Sequence, residues 1–509
     1  MAGILSFSGR YRILHLTWFA FFLTFVVWFN FSPLATAVKQ ELNLTEDQVR
    51  VILLCNVALT VPARVMIGML LDKLGPKLTF SGMLVYSAIP CITFALAQNF
   101  NQLVISRLAM SIVGCGFVIG IRMVAEWFDE HEIGLAEGIY GGWGNFGSAA
   151  SAFAIPSVAT ALAFLSAAQV NWRLAIALSG IISAIYGVIY FFSVSDTPPG
   201  KEYKRPERGS GLEVTKQRDF WFLLLMNLGL VGALALLTWR LFRIDFLSPT
   251  GLIIASLAIA ALYLFQVYGC WNTNQDLMKG RKEYPARDRY QFKQVALLEL
   301  TYFTTFGSEL AVVSMLPTFY ERTFGLSAAF AGAVASSYAF MNLVARPGGG
   351  FLSDATGSRK WTLVALGALT GVGYLSMSLV GSSWLLVVSI AITMAAGLFC
   401  MAAEGGTYAI VPLIKPRVSG QIAGNVGAYG TVGAVTYLTV YSLLPQGGVG
   451  NSIFFSMIGT ISLIVTFLNA FFLKDLKKPE DQEEGEPASE GTASAPPVYE
   501  TEETDQRSR

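Results

Sequence analysis

Two arginines within apolar sequence are the residues best suited to chemistry in this chain. Arg64 and Arg346 each precede a glycine by four residues and an aspartate by eight, and they lie 346 − 64 = 282 positions apart. A guanidinium at the centre of a membrane helix costs about 2.5–3.5 kcal/mol on insertion scales, so it normally faces a polar cavity or a charged partner. Two such arginines in equivalent places therefore suggest an anion bound between them.

The spacing of other residues shows that the chain contains an internal duplication. Asp72 and Asp354 also lie 354 − 72 = 282 positions apart, and Gly144-Asn145 recurs as Gly424-Asn425, with 425 − 145 = 280. Nearly equal offsets at different residues are typical of a repeated unit. Each half therefore carries one arginine and one Gly-Asn segment, and the amides of Asn145 and Asn425 can donate hydrogen bonds in a cavity of low dielectric constant.

The composition indicates a membrane protein. Hydrophobic residues make up 54% of the chain and charged residues only 14%, whereas soluble domains carry about 25% charged residues. The five cysteines are scattered without metal-ligand spacing, which favours reduced, buried thiols and no metal site. We expect no cofactor, no nucleic-acid partner and no enzymatic activity.

Fourteen apolar stretches predict membrane helices, since a bilayer core requires about 20 apolar residues. They lie at 13–32, 51–71, 78–97, 102–125, 135–161, 172–195, 220–239, 251–269, 293–318, 328–353, 361–381, 384–405, 420–443 and 451–473. The first stretch superficially resembles a cleavable signal but is longer than a signal core, so we predict a retained helix. The pair at 220–269 is interpreted as an inserted hairpin; re-entrant or surface-lying helices are the alternative.

The predicted fold is an all-α polytopic membrane protein of two six-helix bundles with two extra central helices. The N-terminal bundle covers 1–195, a linker with the two additional helices covers 196–292, and the C-terminal bundle covers 293–474. Lysine and arginine concentrate in the loops on the side of both termini, which predicts cytoplasmic termini in the plasma membrane. The acidic tail at 475–509 is expected to be disordered, either inert or a regulatory segment with a partner.

A loop motif after each arginine resembles a known superfamily. Residues 68–77 have the form Gly-x-x-x-Asp-x-x-Gly-x-Lys, and residues 350–359 have the same form ending in arginine. This pattern resembles the loop between the second and third helices of each half in the major facilitator superfamily. Asp72 and Asp354 are predicted to pair with basic residues in one of two conformations and so to act as a conformational latch.

The Gly-Asn segments narrow the resemblance. The sequences at 136–148 and 423–433 resemble the two nitrate signatures of the nitrate/nitrite porters in that superfamily. The resemblance implies a planar nitrate ion clamped between two guanidinium forks and flanked by aromatic rings. The substrate-binding residues implied are Arg64, Arg346, Asn145, Asn425, Gly144, Gly424, Tyr302, Phe117 and Phe306. Packing alone would also explain Phe117 and Phe306, whereas the Tyr302 hydroxyl can hydrogen-bond an oxyanion.

Carboxyl groups in the apolar stretches are candidates for proton coupling, because an ionisable group in a membrane usually serves a function. The candidates are Glu126, Glu404 and Glu309, of which the first two lie 404 − 126 = 278 positions apart. A salt bridge to Arg122 would explain Glu126 equally well. The resembled family usually has twelve helices, so the inserted pair is a departure from its pattern.

The sequence therefore predicts a nitrate transporter, with nitrite as a second substrate, that works by alternating access and serves nitrate assimilation. Proton symport is favoured, because an inside-negative potential opposes anion uptake by about 2.3 kcal/mol per charge per 100 mV. Nitrate/nitrite exchange needs no acidic residue and is the first alternative. Transport of another small organic or phosphate anion and a transporter-like nitrate receptor are the others.

Overall fold

The structure is a computed structural model of the 509-residue chain. It describes residues 6–128, 133–165, 170–201, 203, 211–285, 288–415 and 418–476, without the side chains at 65, 69, 72, 133–135, 412 and 419. The regular secondary structure of these residues consists of α-helices and short 3₁₀ helices. The predicted tail from 477 onward lies outside the described residues.

The helices run through the chain in a regular order. Their bounds are α1 Gly9–Phe29, α2 Ala35–Glu41, α3 Glu46–Ala58, α4 Thr60–Leu74, α5 Pro76–Tyr86, α6 Ala88–Ala95, α7 Phe100–Met110, α8 Gly116–Trp127, α9 Ile133–Asn145, α10 Gly147–Ala161, α11 Trp172–Ser193, α12 Gln217–Arg243, α13 Pro249–Met278, α14 Phe292–Thr304, α15 Phe306–Phe324, α16 Ala328–Phe340, α17 Asn342–Ala355, α18 Arg359–Met377, α19 Leu386–Ile414, α20 Ser419–Leu443 and α21 Gly448–Phe472.

Helices occupy every apolar stretch predicted from the sequence. Within the part of the chain that the structure describes, nine helical stretches are long and apolar enough to cross a membrane. The molecule is therefore an all-α, multi-pass membrane protein. The number of fourteen crossings stays a prediction.

Breaks in the helices repeat the duplication seen in the sequence. α3 gives way to α4 at Leu59, and α16 gives way to α17 at Met341, with 341 − 59 = 282. At the first break the Leu59 N–H donates to Ser111 Oγ at 3.0 Å instead of continuing the helix. Arg64 and Arg346 each follow their break by five residues. The same local geometry therefore carries both arginines into the protein, where they are 7% and 6% exposed.

The two halves of the repeat pack against each other through paired helices. α10 packs on α16, α9 on α17 and α3 on α20. Gly332 on α16 permits one of these close approaches, because a Cβ there would lie 2.2 Å from the carbonyl oxygen of Ala152 on α10. Small residues at helix crossings are typical of membrane bundles, where close packing replaces the hydrophobic driving force.

The two inserted helices differ in how they contact the remainder of the chain. α12 packs on α3 of the first half and on α14 and α20 of the second half, whereas α13 packs mainly on α12. The Tyr429 hydroxyl on α20 donates to the Met226 carbonyl oxygen on α12. α12 is therefore a direct bridge between the two halves of the repeat.

Candidate functional site

Arg346 is the centre of a cluster of buried polar groups. With its amide oxygen facing the guanidinium, Asn145 accepts from Arg346 Nη1 at 2.6 Å and from Nη2 at 3.0 Å. Arg346 Nη2 lies 3.3 Å from the Tyr302 hydroxyl oxygen, to which it donates. The guanidinium carbon also lies 5.4 Å from the centre of the Phe306 ring, a cation–π distance. Four residues predicted from the sequence thus come together here, from both halves of the repeat.

Two carboxyl groups face the same guanidinium. Glu404 on α19 forms an ion pair with Arg346 Nη2, and Glu309 Oε2 on α15 lies 3.5 Å from that nitrogen. Both glutamates are 1% exposed. Asn342 donates to Glu309 Oε1 at 2.7 Å and holds this carboxyl in place. If both carboxyls are ionised, the cluster has one negative charge more than the arginine can balance.

Aromatic rings connect the Arg346 cluster with the region of Arg64. Tyr302 stacks on Phe306 with ring centres 5.1 Å apart and meets Tyr408 edge-on at 5.2 Å. Phe117 also meets Tyr408 edge-on, with ring centres 5.8 Å apart. The three predicted aromatic residues therefore lie beside one another, with Tyr408 between them.

Arg64 lies against α20 of the other half. A Cβ built on Gly427 would lie 3.1 Å from Arg64 Nη1 and also 3.1 Å from the Tyr408 hydroxyl oxygen. Asn425 and Gly424 line the same cavity as Arg64, of about 150 Å³. Any side chain at Gly427 would thus compete with the arginine for space.

The two arginines share one arrangement. Each reaches across the molecule to the Gly-Asn helix of the opposite half. Arg346 reaches α9, where a Cβ on Gly141 would lie 3.4 Å from its Nη1, and Arg64 reaches α20. The glycines leave the space, Asn145 contacts the Arg346 guanidinium, and Asn425 lines the cavity that contains Arg64. Gly144 serves packing instead, since a Cβ there would lie 2.0 Å from the Phe21 ring.

The structure places Glu126 away from this cluster. Its carboxylate pairs with Arg122 at 2.8 Å and with Lys201 at 3.0 Å, and Lys201 also donates to the Glu126 carbonyl oxygen. This is the ion-pair interpretation of Glu126 that the sequence left open.

The residues of the predicted latch are only partly described. Asp354 pairs with Arg359 at 2.7 Å, while the side chain of Asp72 lies outside the described groups. In the first half, the N–H of Lys77, the last residue of the motif, donates to Asp196 Oδ1 at 2.7 Å. Burial raises the pKa of Asp196 above its usual value, against the opposing effect of this N–H.

Sequence reasoning missed two contributors to the cluster. Tyr408 follows Glu404 by four residues on α19, and Asn342 precedes Arg346 by four residues on α17. Residues four apart share one helix face, so this spacing from predicted residues was the available signal. Among the described residues no group of His, Cys, Asp and Glu could hold a metal ion. The arrangement offers guanidinium, amide and hydroxyl groups, which together suit a small anion.

Comparison with known proteins identifies the family. The Major Facilitator Superfamily model matches residues 17–273 and 298–502. The nitrate/nitrite transporter NrtP of Picosynechococcus sp. is 58% identical over 503 residues, covering 93% of this chain and 94% of that protein. The chain belongs to the nitrate/nitrite porters of the major facilitator superfamily. A second NrtP, from Nostoc punctiforme, is 54% identical over 476 residues, with 93% and 94% covered.

More distant proteins extend this result. The high affinity nitrate transporter 2.7 of Arabidopsis thaliana is 24% identical over 487 residues, covering 93% of this porter and 85% of the plant protein. The xylose transporter XylE from E. coli has a TM-score of 0.60 at 13% identity, with 92% of this chain and 98% of that chain covered. A bacterial homologue of the lysosomal transporter Spinster also gives 0.60, at 16% identity and with 93% and 100% covered. At such identities the solved structures establish the major-facilitator fold alone.

Proposed function

We propose that this porter carries nitrate, and nitrite as a second substrate, across the membrane by alternating access of its two bundles. One observation carries the proposal: the arginine of each half lies against the Gly-Asn helix of the other half. The names of the NrtP relatives support the same substrates. The protein is accordingly a transporter and not an enzyme.

The chemistry of the Arg346 cluster suits a flat oxyanion. Nitrate is planar, and a guanidinium presents a planar fork of N–H donors, so the two can meet in a bidentate arrangement. Tyr302 can turn its hydroxyl hydrogen toward the anion, while Phe306 provides a flat apolar face. Asn145 currently occupies the fork with its amide oxygen. Rotation of this amide would replace the oxygen with an N–H donor for the anion.

Bonds between the two halves hold one face of the molecule together. This face, here called the opposite face, is formed by residues 30–50, 314–327 and 441–447. Arg322 Nη1 pairs with Glu46 Oε2 at 2.6 Å, and Ser32 donates to the Ser314 carbonyl oxygen. Arg50 Nη1 donates to the Leu444 carbonyl oxygen at 2.6 Å. The opposite face is therefore closed in this state, and alternating access requires these bonds to break.

Charge around Arg346 favours proton coupling over exchange. An anion that joins Glu404 and Glu309 would bring three negative charges to one guanidinium. Two unit charges 4 Å apart repel by about 4 kcal/mol at an effective dielectric constant of about 20. The anion is therefore expected to bind when one of these carboxyls has taken up a proton, and Glu404, as the direct partner of Arg346, is the first candidate. Exchange of nitrate for nitrite is the second candidate function, since it would need no proton.

The topology belongs to the same proposal. We place the protein in the plasma membrane with fourteen crossings and both termini in the cytoplasm. The lysine and arginine distribution of the sequence supports this orientation. The opposite face then lies on the outside, and the closed state described above is open or occluded toward the cytoplasm.

The test is nitrate uptake into proteoliposomes containing the purified protein. Acid outside should accelerate uptake and drive accumulation, whereas nitrite loaded inside should have a smaller effect. Acceleration by internal nitrite alone would replace symport with exchange. Binding of nitrate without any uptake would favour a receptor. Arg346→Lys should abolish transport, because lysine supplies charge without the fork, and Arg243→Lys, at an exposed position, is its control.

A further inference from the structure

The cavity beside Arg64 has a wall that belongs to neither half of the repeat. One side is formed by Arg64 on α4 and by Gly424 and Asn425 on α20. The other side is formed by the inserted helices, through Asn227 on α12 and Gln266 on α13. The insertion therefore contributes polar groups to a cavity that contains a predicted substrate residue.

Arg64 has a buried charge that is only partly satisfied. Its side chain is 7% exposed, and its Nε and Nη1 atoms have no hydrogen-bond partner among the described residues. Breaking a buried ion pair by removing one partner usually costs several kcal/mol, because the remaining charge is left uncompensated. Arg346, in contrast, faces two carboxyls, an amide and a hydroxyl. Among the described residues, Nε and Nη1 of Arg64 are therefore donors still available to a ligand.

The inserted helices offer amides where an anion bound to Arg64 would lie. Asn227 is 3% exposed, and its Nδ2 donates to the Cys270 sulfur, a weak acceptor, at 3.6 Å. Gln266 is half-buried on the same wall, and Asn425 on α20 also lines the cavity. A guanidinium and several amides form a set of hydrogen-bond donors that suits an oxyanion. None of these groups carries the negative charge that would bind a cation. The volume of about 150 Å³ has room for a small oxyanion and water.

The wall is fixed in place by specific contacts. Asn274 on α13 accepts from the Val214 N–H at 2.8 Å and donates to the Leu212 carbonyl oxygen at 2.9 Å, which holds the segment before α12. Gly211 fits tightly, because a Cβ there would lie 2.7 Å from the Gly269 carbonyl oxygen. The polar wall is therefore a built part of the protein.

We infer that this cavity is a second binding subsite for the transported oxyanion, and that Asn227 and Gln266 of the inserted helices determine its affinity and selectivity. The inference rests on the proposed function. The anion is held against Arg64 in this subsite and at the Arg346 cluster in the other, with Tyr408 between the two. The inserted helices are thereby part of the substrate path.

Asn227→Leu tests the subsite, because it removes the amide and keeps the number and branching of the side-chain heavy atoms. The KM for nitrate uptake into proteoliposomes should rise about tenfold with Vmax unchanged. Asn227→Asp, which is nearly isosteric and places a negative charge in the cavity, should raise KM further. Asn272→Leu, an exposed amide on α13 that does not line the cavity, is the matched control and should keep the wild-type KM.

Equilibrium binding separates the two sites. Purified Arg346→Lys protein, titrated calorimetrically with sodium nitrate, should still bind nitrate at the Arg64 cavity, and addition of Asn227→Leu should weaken this binding about tenfold. Unchanged KM in both Asn227 variants, or a nitrate affinity of the Arg346→Lys protein that Asn227→Leu does not lower, would overturn the subsite while leaving the transport function intact. Absence of nitrate uptake by the wild-type protein would instead overturn the proposed function.

Discussion

The charge balance around Arg346 makes a quantitative prediction for Glu404→Gln. In the wild-type protein an anion at Arg346 meets a carboxyl that is already paired with the same guanidinium nitrogen. The repulsion of about 4 kcal/mol at 4 Å corresponds to almost three powers of ten in the dissociation constant. The anion should therefore bind together with one proton. By linkage, the Kd for nitrate should increase about tenfold per pH unit where the carboxyls are ionised.

Glutamine at 404 removes the charge and keeps the shape, so it represents the protonated state permanently. Nitrate binding by Glu404→Gln should lose most of its pH dependence and should be at least tenfold tighter than wild type at pH 8. Uptake driven by a pH gradient should disappear, while exchange of internal for external nitrate should continue. Continued exchange also shows that the variant is folded.

Calorimetric titration between pH 5.5 and 8.5 measures the slope, and proteoliposomes measure the coupling. Glu309→Gln should reduce the slope in the same direction, because Glu309 Oε2 lies 3.5 Å from the same nitrogen. Glu126→Gln is the comparison, since the structure places its carboxylate on Arg122 and Lys201. If both Glu404→Gln and Glu309→Gln retain the wild-type slope and coupling, the charge argument is wrong.

Two further predictions concern packing and gating. Gly427→Ala should reduce nitrate uptake at least tenfold with normal expression, because the new Cβ would lie 3.1 Å from both Arg64 Nη1 and the Tyr408 hydroxyl. Gly420→Ala is the control, since it lies on the same helix with nothing within 4 Å of its Cβ and should transport normally. Equal uptake by the two variants would contradict the steric argument. Arg322→Gln removes the ion pair with Glu46 and should open the opposite face more often. A cysteine introduced at buried Ser32 should then react about fivefold faster with an impermeant maleimide, as expected if the ion pair contributes about 1 kcal/mol to the closed state. The described native cysteines are all buried, which keeps the background low, and an unchanged labelling rate would remove Arg322 from the gate.

Much of the fold can be predicted from two features of the sequence, namely the length of its apolar stretches and the constant offset between repeated residues. Apolar length predicts helices, and the 282-residue offset predicts two related halves, which the paired helix breaks at Leu59 and Met341 reproduce in three dimensions. The family prediction, made from the loop motifs and Gly-Asn segments, is confirmed by the superfamily match and the NrtP relatives. The site residues and the division into bundles stay predictions.

Other features depend on packing that no spacing encodes. Nothing in the sequence separates the carboxyls of Glu126, Glu309 and Glu404. In the structure, Glu126 forms an ion pair with Arg122, whereas Glu309 and Glu404 face Arg346. The contact of α12 with both halves could not be deduced from its hydrophobicity, because an inserted hairpin could equally lie apart in lipid. Tyr408 was missed since aromatic residues on membrane helices serve packing in most positions, and only its neighbours make it part of the site.

The duplication preserved the arginines but not their electrostatic environment. At the repeat offset of 280 to 282, Glu309 corresponds to positions 27–29 and Glu404 to positions 122–124, and neither window contains a carboxyl residue. Arg346 can therefore be neutralised by its own half, whereas Arg64 depends on groups that line its cavity. A permanent positive charge attracts an anion at any pH, and a guanidinium opposed by carboxyls accepts one only together with a proton. Under the proposed symport, this difference assigns recruitment of the anion to Arg64 and linkage to protons to Arg346.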